Sequence, residues 1–254
     1  MGFSADWLAL REPADRAARD DHLLRQAASL AGDNPVILDL GCGTGATARA
    51  LSGSLPDTAQ WRLLDNDPIL LDKANAEVGT SAETCLMNLA DVEALPLDGV
   101  TLVTASALLD LVSEAWLSAF AKRLNVPFYA ALSYDGLMRW TPANQTDEAI
   151  TTAFNRHQRT DKGFGPALGP DAALRAVEIL RDAGCDVQTA NSPWKLGPDM
   201  AKLQSELVDG ISQAACEAGA RNTETWSRSR REGAQKSRCV IGHVDILATP
   251  GIKF

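Results

Sequence analysis

The fold of this chain is decided by one stretch, VILDLGCGTGA, residues 36–46. Its first five residues form an apolar run with branched side chains, interrupted only by Asp39, and this pattern is typical of a buried strand. Gly41, Gly43 and Gly45 follow at once, and a helix-like segment comes next. Because glycine lets the backbone turn steeply and places no side chain over the turn, this unit predicts a ligand lying close to the three glycines.

The alternation of strand and helix continues outward from this unit. Apolar runs and helical spacings of apolar residues follow one another with short connections, which indicates a parallel sheet with helices on both faces. We therefore predict one α/β domain over residues 1–254, with a doubly wound, seven-stranded, mostly parallel sheet of Rossmann-like type. The predicted strands are 36–40, 61–64, 84–89, 100–105, 127–132, 186–190 and an exposed or edge-proximal strand 239–248; the predicted helices are 46–51, 68–76, 113–123, 148–156 and 171–183, with a polar helical stretch over 199–231.

Three segments do not fit this alternation. Residues 1–34 predict an N-terminal helical cover that bends near Pro13. Residues 134–170, after the fifth strand, and residues 197–236, after the sixth, predict helical insertions. Ligands of open α/β sheets lie beyond the carboxyl ends of the strands, so we expect the cover and both insertions to shape a ligand pocket.

Composition narrows the classes of protein and of partner. A hydrophobic content of 45% and a charged content of 22% are those of an ordinary globular chain. The net charge of −9 disfavours nucleic acid as a partner and favours a small molecule. The apolar runs are too short to span a membrane, and no secretory signal is visible, so we expect a cytoplasmic protein. Five cysteines at no ligand-like spacing predict reduced thiols and no metal site.

The glycine turn has two interpretations. Gly41, Gly43 and Ala46 satisfy the loose nucleotide fingerprint G-x-G-x-x-A of nicotinamide and flavin enzymes. Asp39 and the third glycine, Gly45, instead give the spacing D-x-G-x-G-x-G. In this form the stretch resembles the first motif of the class I methyltransferases that depend on S-adenosylmethionine (SAM). The resemblance covers roughly residues 36–133 and implies SAM as the cofactor, with S-adenosylhomocysteine (SAH) as its product.

The resemblance also implies which residues bind SAM. An acid at the end of the second strand, Asp65, takes the place that accepts hydrogen bonds from the ribose hydroxyls, and a carboxylate can accept both. An acid there also fits NAD, whereas Asp67 is better placed to cap the helix that follows. Asp91 and Val92 take the adenine-binding places. The implied cofactor-binding residues are Asp39, Gly41, Cys42, Gly43, Gly45, Asp65, Asn66, Asp91, Val92 and Ser106.

Candidates for contact with the methyl acceptor follow the fourth and fifth strands. Asp110 either faces the sulfonium region or caps the next helix. Tyr134 is expected to line the pocket. His157 is a candidate base or a surface residue. The sequence carries no strict catalytic signature, and none is required, because methyl transfer is an in-line displacement that depends chiefly on alignment.

Three other features of the sequence each allow two interpretations. Arg11 or Arg16 could bind an anionic group of the acceptor or simply pair with neighbouring acids. Residues 163–170 are a lid or a connector. The basic cluster 228–238 is a solvated helix face or a binding surface. The predicted function is methyl transfer from SAM to a small molecule, and the alternatives are a non-catalytic SAM-binding regulatory module and an NAD-dependent oxidoreductase.

Overall fold

A sheet of eight strands organises residues 3–79 and 82–251, the part of the chain that the computed structural model describes. Seven strands follow the order β3-β2-β1-β4-β5-β8-β6, and β7 pairs with β8. Strands β1 to β5 are parallel, and β8 runs antiparallel to both of its long neighbours. The strands are β1 Val36–Leu40, β2 Gln60–Asp65, β3 Ala82–Leu86, β4 Leu102–Ser106, β5 Phe128–Thr141, β6 Cys185–Asn191, β7 Trp194–Leu196 and β8 Arg238–Pro250.

Helices cover both faces of the sheet. Ile37 of β1 packs into one hydrophobic core and Leu38 into another, because successive side chains of a strand point to opposite faces. The predicted doubly wound α/β architecture is therefore confirmed. The helices of the described residues are α1 Ala5–Ala18, α2 Asp21–Leu30, α3 Ala46–Leu51, α4 Pro68–Val78, α5 Glu114–Arg123, α6 Asp147–Gln158, α7 Ala172–Asp182, α8 Ala201–Glu217 and α9 Thr223–Gly233.

The residues that cap α4 and α5 decide between the alternatives that the sequence left open for Asp67 and Asp110. The Asp67 carboxylate accepts a hydrogen bond from the Ile69 N–H at 2.8 Å and caps α4, as predicted. Helix α5 is capped by Ser113, whose hydroxyl accepts from the Trp116 N–H at 3.2 Å. Asp110 is therefore not a helix cap.

The fifth strand is longer than its apolar run predicts. It continues beyond Leu132 to Thr141, so the insertion predicted to begin at residue 134 starts with strand. Leu132 has a φ of +57°, and the register against β8 shifts between Ala130 and Ser133. The extension exists because β8, more than 90 residues further along the chain, supplies a pairing partner along its length. Sequence patterns near residue 132 contain no sign of that partner.

The helical segments differ from the predicted ones in where they break. The N-terminal cover breaks at Asp20 rather than near Pro13, because the Asp20 carboxylate caps α2 by accepting from the Leu23 N–H at 2.8 Å. The stretch 199–231 is two helices, α8 and α9, separated by a turn in which Gly219 has a φ of +83°.

Strand β8 lies between β5 and β6 and is mostly buried, so it is next to the sheet edge and not exposed. Within residues 3–79 and 82–251, no helix is long and apolar enough to cross a membrane. The same residues contain no group of histidine, cysteine or acidic side chains arranged to hold a metal ion.

Candidate functional site

The glycine turn after β1 forms a cradle that side chains would fill. Gly41, Gly43 and Gly45 have φ angles of +67°, +53° and +84°, a region that favours glycine. A Cβ on Gly43 would lie 3.0 Å from the Leu8 side chain of α1, and one on Gly41 would contact Leu89 at 3.7 Å. A side chain at Gly43 would therefore crowd the turn against α1, and the positive φ angles of all three positions favour glycine.

Asp65, at the end of β2, holds this turn in place. Its Oδ2 accepts a hydrogen bond from the Gly43 N–H at 2.8 Å, and its Oδ1 accepts from the Asp67 N–H at 3.0 Å. A carboxylate has about four lone-pair sites, so two remain for further donors such as ribose hydroxyls. The exposed Asn66 lies beside it.

Two buried polar side chains, Asp39 and Arg19, lie next to the turn. Asp39 is 1% exposed; its Oδ1 accepts from the Thr104 hydroxyl at 2.7 Å, and its Oδ2 has no partner among the described residues. Arg19 is also buried; its Nη2 donates to the Ser106 hydroxyl at 3.0 Å, and its Nη1 has no partner in the described part of the chain. Burial raises the pKa of Asp39 to about 7, and the charge of Arg19 opposes that rise.

One unused acceptor and one unused donor therefore lie beside the glycine turn. This combination is complementary to the amino and carboxylate groups of an amino-acid end, such as the methionine part of SAM. Sequence analysis included Asp39 and Ser106 but missed Arg19. Arg19 directly follows α1, where its backbone N–H donates to the Asp15 carbonyl, and the residues around it do not indicate that its side chain reaches the site.

The predicted adenine-binding residues follow β3. Asp91 is exposed, and Val92 is buried and begins a short 3₁₀ helix, Val92–Ala94. The Val92 carbonyl accepts a hydrogen bond from the Arg123 guanidinium of α5. The Cys42 thiol of the turn is buried, and burial raises its pKa, so it stays protonated. The turn, Asp65 and Asp91 thus lie at the carboxyl ends of adjacent strands, as predicted.

Helix α1 reaches from the glycine turn to a cavity elsewhere at this edge of the sheet. Leu8 lies against Gly43, and the Glu12 carboxylate accepts from Arg49 Nε of α3 at 2.7 Å. The same guanidinium donates to the Thr44 carbonyl of the turn at 2.6 Å. Other side chains of α1 line the cavity described next.

A cavity with a volume of about 130 Å³ lies beyond the end of β4 and alongside the second half of β5. Ala107 and Leu132, which both have positive φ angles, lie where these strands meet it. Its wall is mostly aromatic and aliphatic, with a few polar groups. The lining residues are Phe3, Trp7, Arg11, Ala107, Asp110, Leu111, Leu132, Tyr134, Met138, Phe154, Gln158, Trp194, Leu207, Ile211, Ile241 and His243.

Two ionisable side chains in this cavity have buried atoms without partners. Asp110 Oδ1 and His243 Nδ1 make no hydrogen bond to the described residues. Burial raises the pKa of Asp110 to about 6, and burial lowers the pKa of His243 to about 3. At neutral pH the cavity therefore contains a carboxylate and a neutral imidazole. The backbone of Asp110 is fixed by the Gly169 N–H, which donates to its carbonyl at 3.0 Å.

Arg11 lies in the cavity wall but is already paired. Its Nε and Nη2 donate to both carboxylate oxygens of Asp15, at 2.9 and 3.1 Å. Asp15 also accepts from the Trp194 indole N–H at 2.9 Å, and Arg11 lies over that ring at 4.9 Å from its centroid. Tyr134 lines the cavity and donates its hydroxyl to Asn155 Oδ1 at 2.8 Å.

Two candidates lie outside the cavity wall. His157 contacts Glu217 on α8, with 2.9 Å between Nε2 and Oε2. Arg16 is 64% exposed and pairs weakly with Glu12 at 3.5 Å. Sequence analysis missed His243 and Trp194, which lie on strands β8 and β7; their cavity position depends on strand pairing that no local pattern reveals.

The two remaining ambiguous segments differ: residues 163–170 are packed against the protein, whereas Arg228, Arg231, Lys236 and Arg238 of the basic cluster are exposed. The Leu168 N–H donates to the Val112 carbonyl at 2.8 Å, and Phe164 lies edge-on to Trp116 at 5.8 Å, so residues 163–170 form a shaped connector. In the basic cluster, Arg230 is buried and pairs with Asp147 of α6.

Comparison with known proteins agrees with this geometry. Residues 37–126 match the model of a family described as a methyltransferase domain. This segment contains the glycine turn, Asp65, Asp91 and Asp110. Among curated protein sequences, none matches the chain.

Solved structures of methyltransferases share the fold at low sequence identity. Geranyl diphosphate C-methyltransferase from Streptomyces coelicolor A3(2) superposes with a TM-score of 0.52 at 14% identity, covering 91% of this chain and 79% of that one. The cyclopropane synthase MmaA2 from Mycobacterium tuberculosis gives 0.55 at 13%, covering 97% and 95%. Residues 37–126 are thus similar to a methyltransferase domain, and the chain shares the fold of these solved structures, in agreement with the resemblance found in the sequence.

Proposed function

We propose that this protein transfers a methyl group from SAM to a small-molecule acceptor bound in the cavity beyond β4 and alongside β5. The observation that carries the proposal is the adjacency of two unlike sites at one edge of the sheet. The glycine turn with Asp39 and Arg19 is polar, and the cavity around Asp110 is mostly apolar. Helix α1 borders both of them.

The residues present fit SAM. The free Nη1 of Arg19 and the free Oδ2 of Asp39 match the carboxylate and amino groups of its methionine part. Asp65 keeps lone pairs for the ribose, and Asp91 and Val92 are the candidates for adenine. The glycine cradle leaves room for the chain between these groups. SAM supplies a methyl group on a positively charged sulfur, which is activated for attack without a metal or a covalent enzyme intermediate.

The protein's own contribution is alignment and exclusion of water. The cavity side chains hold the acceptor, and the turn residues hold the cofactor, so a bimolecular reaction becomes an oriented one. Helix α1 is bonded to the wall of the cavity through Asp15 and Trp194 and to α3 through Glu12 and Arg49. This double attachment supports a role for α1 as a cover over both sites.

Isothermal titration of SAH tests the cofactor site. Wild type is expected to bind SAH and not NAD, and Asp65→Ala is expected to weaken SAH binding by at least about tenfold, or about 1.4 kcal/mol. The matched control is Asp67→Ala on the same loop. It removes the α4 cap, at a stability cost of about 1 kcal/mol, but removes no group proposed to contact the ribose.

Equal loss of SAH binding in both variants would show that the loop's stability, not the Asp65 carboxylate, controls binding. Binding of NAD without binding of SAH would replace the proposal with the oxidoreductase alternative. Transfer of a radiolabelled methyl group from SAM to an acceptor then separates an enzyme from a non-catalytic SAM-binding module.

A further inference from the structure

We propose that the acceptor is a primary or secondary amine on an apolar body, held in the cavity by the Asp110 carboxylate. This inference rests on the proposed methyltransferase function and specifies its substrate class.

The cavity contains one acid that no cation pairs with. Arg11 is the cation in the cavity wall, and both of its bonded nitrogens are used by Asp15. The pair Arg11–Asp15 is therefore neutral as a unit. Asp110 Oδ1 is buried and has no hydrogen-bond partner among the described residues, so this oxygen is free to accept from a donor in the cavity.

One cation outside the wall, Lys162, offsets part of the Asp110 charge. Lys162 is the next cation whose charge reaches Asp110, and it donates to the Thr160 hydroxyl at 3.1 Å and is also influenced by Glu217. The low pKa of His243 keeps the imidazole neutral. At neutral pH the cavity as a whole is therefore negative, which favours a cationic or hydrogen-donating ligand over an anionic one.

The rings in the wall suit an amine on an apolar body. Trp7, Tyr134, Phe154 and Trp194 contribute aromatic surface, and aromatic faces attract ammonium groups. The volume of about 130 Å³ is close to the roughly 150 Å³ of a cavity that accepts benzene. A single ring or a short aliphatic chain with one amino group matches both the size and the chemistry.

The reaction itself favours nitrogen at this position. The bound ammonium first gives up one proton, through Asp110 to solvent, so that the nitrogen lone pair is free to attack the methyl carbon. The nitrogen–carbon bond forms while the carbon–sulfur bond breaks, the bonding pair stays on sulfur as SAH forms, and the positive charge moves to nitrogen. The nitrogen's proton then passes to the carboxylate and leaves to solvent. A carboxylate beside the charge that develops on nitrogen stabilises the transition state.

The test uses ligands that share a body and differ in one group: benzylamine, benzyl alcohol and benzoate. Their binding to wild type is measured by calorimetry, with and without saturating SAH. Benzylamine is expected to bind at least tenfold more tightly than benzyl alcohol, and benzoate most weakly. Radiolabelled SAM is then used to measure methyl transfer to benzylamine and to N-methylbenzylamine.

Two variants assign the preference to Asp110. Asp110→Asn keeps the shape of the side chain and removes its charge, and is expected to reduce the amine preference over the alcohol to less than threefold. The control, Asp182→Asn, changes an exposed acid at the end of α7 and is expected to keep the full preference. The wild-type series tests the inference even if Asp110→Asn fails to fold.

The outcomes separate this inference from the proposed function. If SAH binds but the alcohol or benzoate binds as well as the amine, or if no ligand of the series binds, the amine inference is wrong and the methyltransferase proposal stands. If the amine preference exists and depends on Asp110 but SAH does not bind, the cavity assignment survives and the methyltransferase proposal fails.

Discussion

The cofactor side and the acceptor side of the sheet edge are held together by different kinds of contact. On the cofactor side, the key bond joins Gly43 to Asp65, 22 residues away, across two adjacent parallel strands. On the acceptor side, Trp194 bonds to Asp15, 179 residues away. The glycine turn of the cofactor side is thus a short-range motif, to which Arg19 is added from α1, whereas the acceptor side is an assembly of distant segments. The difference predicts that the two sides respond separately to substitution.

The largest expected effect falls on the acceptor side. Arg230 is buried and bonded to Asp147, to the Pro142 carbonyl at 2.8 Å and face-on to Trp140. Asp147→Asn leaves the guanidinium buried without its counter-ion and is expected to lower the free energy of unfolding by about 3–5 kcal/mol in urea denaturation. The affinity for SAH, measured at a temperature where the variant is folded, is expected to stay within twofold.

The control for this variant is Asp209→Asn. Asp209 of α8 pairs with Arg231 of α9, the helix that also carries Arg230, but both side chains are about half exposed, so the loss is expected to be below about 1 kcal/mol. A fall in SAH affinity that parallels the loss of stability in Asp147→Asn would break the comparison, because it would make the two sides one coupled unit.

The same difference explains how much of the site could be predicted from sequence. The glycine turn, Asp65 and the Asp67 cap follow from local chemistry, since a strand, a tight turn and a helix start are each specified by a few neighbouring residues. Asp110 and Tyr134 were found because they follow the predicted fourth and fifth strands of the regular alternation. The carboxyl ends of such strands meet at one edge whatever the rest of the chain does.

Arg19, Trp194 and His243 could not be found in this way. Arg19 reaches Ser106 because α1 crosses the sheet edge, and His243 faces Tyr134 because β8 enters between β5 and β6 in one particular register. One signal was present: His243 and Asp245 are polar residues two apart in an otherwise apolar strand, so they share a face. Asp245 is fully buried and accepts from the Leu132 N–H at 2.8 Å.

The pH dependence of SAH affinity is a second test of the difference between the two sides. The Asp39 carboxyl has a pKa of about 7 because it is buried, so below pH 7 it must lose a proton before it can accept from an ammonium group. Binding of the methionine amino group therefore releases a proton, and SAH affinity is expected to rise by about fivefold to tenfold from pH 6 to pH 7.5. Titration calorimetry across this range measures the slope.

Asp39→Asn is expected to bind SAH more weakly and to lose the slope. The amide cannot ionise, but its oxygen can still accept from the Thr104 hydroxyl. A flat profile in wild type would contradict the assignment of Asp39 to the amino group. A slope that persists in Asp39→Asn would place the titrating group elsewhere, with Asp110 on the acceptor side as the first candidate.

The smallest expected effect tests whether α1 joins the two sides. Glu12 accepts from Arg49, whose guanidinium also holds the Thr44 carbonyl of the glycine turn, and both side chains are about one-fifth exposed. Glu12→Gln weakens this attachment by an amount typical of a partly exposed ion pair, about 0.5–1 kcal/mol. The dissociation rate of SAH is expected to rise by about twofold to fivefold in stopped-flow measurements, since a looser cover opens more often.

Arg16→Gln removes only the exposed second partner of Glu12 and should leave the rate unchanged. An unchanged rate in Glu12→Gln would mean that α1 belongs to the acceptor side alone, and that the cofactor exchanges without its movement.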